Sequence, residues 1–123
     1  MHLDSPIQSV PKVLVTMRSI FGKEIELTSF VWLNKILKDH PEFGQNEEIL
    51  REIKKAVEDP DYLVTGWAGE YLALRYCEIA PKRPKHLCVI YSEGEKKGFV
   101  ITTFFISKYH KLLRRGIIWQ RQK

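Results

Sequence analysis

Apolar residues recur every three to four positions in the first half of the chain, which predicts two helices. The first helix follows a capping hydroxyl at Thr28 or Ser29 and ends before Pro41. One face of this helix carries Phe30, Leu33, Ile36, Leu37 and finally His40. The second helix begins at Asn46 and ends by Asp59. Its predicted buried stripe is Ile49, Leu50, Ile53 and Val57.

Runs of branched and aromatic residues replace this spacing after residue 61 and predict strands. The runs cover residues 62–67, 71–77, 87–91 and 99–106, and glycines and prolines separate them. Two further apolar runs, residues 12–17 and 24–27, flank a turn at Gly22 and predict an N-terminal hairpin. Helices in the first half and consecutive strands in the second favour an α+β fold with an antiparallel meander.

Length and composition indicate one domain without a membrane segment. The chain has 123 residues, of which 44% are hydrophobic, and this is enough for one core but not for two. We therefore expect a single domain over residues 1–123, with a leader at 1–11 and a basic C-terminal segment at 108–123. No apolar stretch approaches the roughly 18 residues that span a bilayer, and the first residues lack an apolar signal segment. We expect a cytoplasmic protein with no membrane partner.

The two cysteines, Cys77 and Cys88, are too few for a disulfide framework and lack the spacing of a zinc or redox site. We expect them to be reduced and partly buried, and we expect no metal. They flank the loop around Arg83 almost symmetrically, which favours cross-strand neighbours. A small enzyme that uses this cysteine pair is the weakest of the functional alternatives.

Positive charge is concentrated in two places, within a net charge of +5. The C-terminal segment contains Lys108, Lys111, Arg114, Arg115, Arg121 and Lys123 and no acid. A second basic run, in a proline-containing loop, consists of Lys82, Arg83, Lys85 and His86. Each run is either a solvated surface or a nucleic-acid-binding surface, and charge alone does not separate the two.

A series of short motifs resembles a superfamily of nucleases. In chain order the motifs are Trp32, Ile36, His40-Pro41-Glu42, Asp59-Pro60-Asp61, Arg75, residues 98–103, Ser107-Lys108 and Ile118-Trp119. In this order they resemble the phage and mobile-element branch of the barnase, EndoU, colicin and RelE-like (BECR) nucleases, from about residue 28 to residue 119. The resemblance implies an α+β fold in which an N-terminal hairpin and two helices pack on a four-stranded antiparallel sheet.

The same resemblance implies a function. Proteins of this kind cleave RNA without a metal on the open face of the sheet and serve as toxins. We therefore expect a toxin-like endoribonuclease that leaves a 2′,3′-cyclic phosphate, needs no cofactor, binds RNA and has a cognate antitoxin or immunity protein. Lys35 and Phe104 stand where the family commonly has histidine and tyrosine. They favour the alternative, a non-catalytic nucleic-acid-binding or interaction domain of the same fold.

Metal-independent RNA cleavage needs a base for the 2′-hydroxyl, cations for the charged phosphorane and an acid for the leaving 5′-oxygen. The candidate catalytic residues are His40, Arg75, Thr102 and Lys108. His40 ends a helix, where the dipole favours a cation as a general acid requires, or else it only packs there and caps a carbonyl. Strand alternation separates Arg75 from Leu72 and Leu74, so Arg75 should face the open side and hold phosphate, or else pair with an acid.

The remaining candidates lie in the last predicted strand and in the two basic runs. Thr102 and Thr103 lie on opposite faces, so at most one shares the face of Arg75; the resemblance favours Thr102, and an ordinary strand-forming role is the alternative. Lys108 would neutralise the transition state or grip a phosphate. The predicted RNA-binding residues are Lys82, Arg83, Lys85, Ser107, Lys111, Arg114 and Arg115. The tyrosines, Trp67 and Trp119 could stack bases, although Trp32 and Trp119 are expected in the core.

Overall fold

The computed structural model describes residues 12–44, 47–80 and 85–122. In chain order its strands are β1 (Val13–Arg18), β2 (Glu24–Thr28), β3 (Tyr62–Thr65), β4 (Tyr71–Cys77), β5 (Lys85–Glu93), β6 (Lys97–Ile106) and β7 (Ile117–Gln120). Helix α1 is made of three consecutive pieces, Ser29–Val31, Trp32–Ile36 and Leu37–Asp39, and α2 spans Glu47–Glu58. A 3₁₀ turn, Pro41–Phe43, follows α1, and a short helix α3 spans His110–Leu113. The leader 1–11, the cap Asn46, and the basic residues Lys82, Arg83 and Lys123 lie outside the described residues.

The described strands form one sheet in the order β1-β2-β6-β5-β4-β3-β7. The predicted meander is confirmed, because β3, β4, β5 and β6 pair antiparallel in sequence order. The predicted four-stranded sheet is wrong, since the sheet has seven strands among the described residues. The N-terminal hairpin joins it through a parallel pairing of β2 with β6, and β7, from the segment expected to be a basic tail, pairs with β3. Both additions pair residues far apart in sequence, which local patterns do not reveal.

The expected pair of regular helices is also incorrect. The Thr28 hydroxyl caps α1 by accepting a hydrogen bond from the Val31 backbone N–H at 3.3 Å, as one of the two predicted caps requires. The middle of α1 is π-helical over Trp32–Ile36, which is a wider turn than the 3.6-residue spacing predicts. α2 matches its predicted stripe and buries Ile49, Ile53 and Val57. α3 was not predicted. No helix in the described part of the chain is long and apolar enough to cross a bilayer.

The two faces of the sheet bury different cores. On the face that we call the helix face, α1 and α2 cover a cluster that includes Leu63, Ala73, Leu87, Val89 and Val100. On the opposite face, which we call the α3 face, Tyr109 and α3 cover a smaller cluster formed by Val64, Leu72, Leu74, Cys88 and Ile90. A sheet with apolar residues on both faces shows less alternation than a sheet with one open face. The fold is therefore α+β with a large covered face and a partly covered one.

The cysteines lie on opposite faces of this sheet. Cys77 belongs to the helix-face cluster and Cys88 to the α3-face cluster, and both are free and buried. Burial raises the pKa of the Cys77 thiol to about 11 and that of Cys88 to about 12. The register pairs Cys88 with Leu74 and Cys77 with Lys85, so the expectation of neighbouring cysteines is wrong.

Candidate functional site

A polar cleft of about 170 Å³ opens at one end of the α3 face. Six residues line it: Asp61, Tyr62, His86, Tyr109, Gln120 and Arg121. The register brings these residues together from distant parts of the chain, because Tyr62 at the start of β3 pairs with Gln120 at the end of β7. His86 enters from the start of β5, and Tyr109 closes the cleft from the segment before α3.

His86 is the titratable base of the cleft. Its side chain is 16% exposed, and its Nε2 atom lies 3.7 Å from Oδ2 of Asp61. The ring of Tyr109 stacks on the imidazole at a centroid distance of 3.9 Å. Burial lowers the pKa of His86 below 6.5; the negative charge of Asp61 opposes this shift, and His110 adds to it. The imidazole is therefore mostly neutral at pH 7, the protonation state that a general base needs.

Asp61 is held in place by three groups around its carboxylate and backbone. Its Oδ2 accepts a hydrogen bond from the Tyr76 backbone N–H at 2.8 Å, and its Oδ1 lies 3.2 Å from Nη2 of Arg121. Its backbone N–H donates to the carbonyl of Leu74 at 2.7 Å. A carboxylate fixed in this way beside an imidazole can stabilise the imidazolium that forms when His86 takes a proton.

Arg75 does not face the open side of the sheet, so that prediction is wrong. It alternates with Ala73 and Cys77, which both pack in the helix-face cluster. Its Nη1 donates to the Asp59 backbone carbonyl and lies 3.2 Å from Oδ2 of the same residue. The prediction failed because both sides of β4 are apolar: Leu72 is buried under α3, on the face opposite α1 and α2. An apolar side of this strand therefore does not identify the face that the two long helices cover. The structure shows the alternative, an arginine paired with an acid.

The two threonines of β6 divide between the faces of the sheet. Thr103 is fully buried opposite Val89, and its hydroxyl donates to the Cys88 carbonyl at 2.7 Å. Thr102 lies opposite Ile90 on the α3 face and is partly exposed. Thr102 therefore does not share a face with Arg75, but it does share the face on which the cleft opens.

His40 lies where the end of α1 meets the second half of β6. Its side chain is 29% exposed, and its Nδ1 is 3.4 Å from Oε2 of Glu42. The imidazole stacks on Phe43 at 5.5 Å and lies 6.4 Å from the ring of Phe104. Phe104 is opposite Cys88, and His86 is opposite Ile106 two residues further along β6. The two histidines thus approach the same end of β6.

The predicted basic residues occupy different positions around this end. Ser107 and Lys108 are exposed between β6 and Tyr109, and Lys111 and Arg114 are exposed on and just after α3. Lys85 is partly exposed at the start of β5. The guanidinium of Arg115 is engaged by the backbone, because it donates to the carbonyls of Thr65 and Gly66 at 3.0 and 2.8 Å.

Most of the cleft was not predicted as a site. The sequence indicates His86 only as part of a basic loop, and Asp61 only as part of a helix stop and of a family motif without a catalytic role. Tyr62 and Tyr109 are expected only as tyrosines that could stack bases, Arg121 only as part of the basic C-terminal segment, and Gln120 has no expected site role. Two sequence features could have indicated this site. His86 directly precedes the predicted strand 87–91, and aromatic and basic residues follow the last predicted strand, 99–106. The described residues contain no group of three or more His, Cys, Asp or Glu side chains arranged to hold a metal ion.

Comparison with known proteins places the chain among nucleases. No curated protein and no solved structure gives a match. Residues 15–120 match the family described as phage-Barnase-EndoU-ColicinE5/D-RelE like nuclease 2, which covers almost the whole chain from β1 to β7. The chain therefore belongs to this phage BECR-like nuclease family.

Proposed function

We propose that the protein is a metal-independent endoribonuclease that cleaves RNA to leave a 2′,3′-cyclic phosphate, with the His86 cleft as its reaction centre. The observation that carries the proposal is a mostly buried imidazole, its pKa lowered by that burial, that lies beside a fixed carboxylate in an open polar cleft. A chain of this nuclease family needs a base of this kind if it is to activate the 2′-hydroxyl without a metal.

In this proposal His86 removes the proton of the 2′-hydroxyl. The oxygen then attacks the adjacent phosphorus, and the bond to the 5′-oxygen of the next nucleotide breaks. Asp61 stabilises the imidazolium formed on His86, since the two side chains are 3.7 Å apart at their closest atoms. The base works near neutral pH because burial keeps the pKa of His86 low.

The leaving 5′-oxygen requires a proton, and we assign this role to His110. The ring of Tyr109 stacks on His86 at 3.9 Å and on His110 at 4.1 Å, so one aromatic residue positions both imidazoles. The charge of His110 acts on His86, as the lowered pKa of His86 reflects. His40 is the second candidate acid, because it approaches the same end of β6 from α1.

Positive charge for the phosphorane would come from Lys108 and Lys111. Both are exposed and flank Tyr109 along the chain. Arg121 lines the cleft, but its Nη1 and Nη2 atoms lie 3.0 and 3.2 Å from carboxylate oxygens of Asp59 and Asp61. The acids cancel much of its charge, so we assign it to positioning Asp61 rather than to phosphate.

The decisive experiment incubates the purified full chain with total RNA in EDTA and compares it with His86→Gln, His110→Gln and His40→Gln. We expect cyclic phosphate ends from the wild type and the His40 variant, and a loss of at least about a hundredfold in the other two, as for a lost general acid or base. Lys35→Gln on the exposed face of α1 is the matched control, and circular dichroism verifies folding. Activity lost with His40→Gln but kept with His110→Gln would move the acid to α1.

A non-catalytic nucleic-acid-binding domain is the second candidate function. It is favoured by Phe104, which places a ring without a hydroxyl on the α3 face near His40. Intact RNA together with salt-sensitive RNA binding would support this candidate and reject the nuclease proposal. Growth arrest on expression, relieved by His86→Gln, would support a toxin with a cognate inhibitor, whereas tolerated expression of active enzyme would reject that role.

A further inference from the structure

The turn between β3 and β4 holds an exposed tryptophan in a fixed position. Trp67 is 60% exposed. The turn is closed by a hydrogen bond from the Gly66 backbone N–H to the Glu70 carbonyl at 2.8 Å, and the Glu70 carboxylate accepts from the Ala68 backbone N–H. Gly69 has a φ of 92°, which glycine adopts without strain. The turn therefore presents an indole that is largely exposed.

Arg115 fixes one face of the indole. Its Cζ lies 4.3 Å from the centroid of the Trp67 ring, in a cation–π arrangement. The same guanidinium donates to the carbonyls of Thr65 and Gly66, so it is anchored to the backbone of the turn. With the guanidinium against one face, the exposed remainder of the ring forms a flat surface beside a positive charge.

The surroundings of this platform suit a polyanion with flat bases. Arg114 directly precedes Arg115 in sequence and is exposed just after α3, and Lys111 is exposed on α3. The acid of the turn, Glu70, is committed to the turn itself: the backbone N–H of Ala68 is the chief cause that lowers its pKa, and Arg115 contributes.

The geometry points to Trp67, backed by Arg115, as a base-stacking subsite for a nucleotide of single-stranded RNA several positions from the bond that is cleaved. Tyr62 at one end of β3 lines the His86 cleft, and Thr65 at the other end leads into the turn. The three residue steps from Tyr62 to Thr65, at about 3.3 Å each, separate the two ends by roughly 10 Å. The inference rests on the proposed function only in taking RNA as the ligand.

Binding is measured first, because it does not depend on cleavage. A 5′-labelled single-stranded 2′-O-methyl RNA oligonucleotide, which lacks the attacking hydroxyl, is titrated with the full chain and followed by fluorescence anisotropy. We expect Trp67→Ala to weaken binding by about tenfold, the usual size for loss of one stacking aromatic, and Trp67→Phe to recover most of it. The tryptophan emission of the wild type should also be quenched on binding.

The matched control is Phe30→Ala, since Phe30 is an aromatic of similar exposure, 58%, on the first turn of α1. It should bind the oligonucleotide as tightly as the wild type. Equal affinity of the wild type and Trp67→Ala, with both folded by circular dichroism, would overturn the inference. An equal loss in the Phe30 variant would also overturn it, because the effect would then not be specific to the platform.

Substrates of different length distinguish an effect on the Trp67 platform from an effect on the reaction centre. Trp67→Ala should cleave a dinucleotide with unchanged kcat/KM but a longer strand with a raised KM and a similar kcat. If no RNA is cleaved by the wild type while Trp67 still contributes to binding, the proposed function fails and the subsite stands. If cleavage is normal and Trp67→Ala affects neither length, the subsite fails and the proposed function stands.

Discussion

The phenol ring of Tyr109 lies against the imidazole of His86, with the centroids 3.9 Å apart and 28° between the planes. Tyr109 belongs to the segment between β6 and α3, whereas His86 begins β5, so the contact joins the two halves of the α3 face. The stacked ring removes water from one face of the imidazole. Burial, to which this ring contributes, is the main reason why the pKa of His86 lies below its ordinary value.

The first prediction concerns the pH dependence of cleavage. Tyr109→Ala exposes His86 to water, so the pKa of His86 should rise toward 6.5. In the proposed mechanism cleavage requires the neutral imidazole of His86, so its rate should increase as pH rises through this pKa. The acidic limb of kcat/KM should then move to higher pH in the variant.

The pH profile of Tyr109→Phe is the control for this prediction. It keeps the ring and should keep the wild-type acidic limb. NMR titration of the His86 ring protons in both variants measures the same shift independently of activity. An acidic limb that stays in place in Tyr109→Ala would show that His86 is not the base whose titration limits the rate.

The sequence predicts the strands of the meander and their order because each one is a local run of branched and aromatic residues. It does not predict which side of a strand is open. Leu72 and Ala73 illustrate this, since both are fully buried, one under α3 and one under α2 and α1. The assignment of Arg75 to an open face followed directly from treating only one of these sides as buried.

The cleft depends on register rather than on any motif. Asp61, His86 and Arg121 come from three separate segments. They meet because β3 pairs with β7 on one side and with β4 on the other, and β4 in turn pairs with β5. β7 lies in a stretch whose charge favoured a basic tail. Spacing along the chain does not reveal that these three segments lie side by side. Helix position and strand alternation therefore point to His40 and Arg75, and not to His86, as catalytic candidates.

The second prediction concerns Arg75, which binds Asp59 and does not line the cleft. Arg75→Ala removes the hydrogen bond to the Asp59 carbonyl and should lower the free energy of unfolding by about 1 kcal/mol. Denaturant unfolding measures this loss. The cleavage rate per folded molecule should stay within about threefold of the wild type, in contrast to His86→Gln. A folded Arg75→Ala protein that binds RNA normally but does not cleave it would return Arg75 to the reaction centre.

The third prediction compares two adjacent threonines. Thr103→Val keeps the shape of a fully buried side chain but leaves the Cys88 carbonyl without the donor that lies 2.7 Å away. A buried hydrogen bond contributes about 0.5–1.5 kcal/mol, so Thr103→Val should lower the free energy of unfolding by an amount in this range. Thr102→Val, one residue away on the partly exposed α3 face, should change it by less than about 0.5 kcal/mol.

Urea unfolding of both threonine variants, with slopes compared to confirm that the denatured state is unchanged, gives the two values. Because both variants replace threonine by valine on the same strand, strand propensity cancels in the difference, which measures the hydrogen bond and the burial of Thr103. Equal stabilities would mean that water or backbone movement satisfies the Cys88 carbonyl when the hydroxyl is absent. A larger loss at Thr102 would place that residue, and not Thr103, on the covered face, and would contradict the register of β6 against β5.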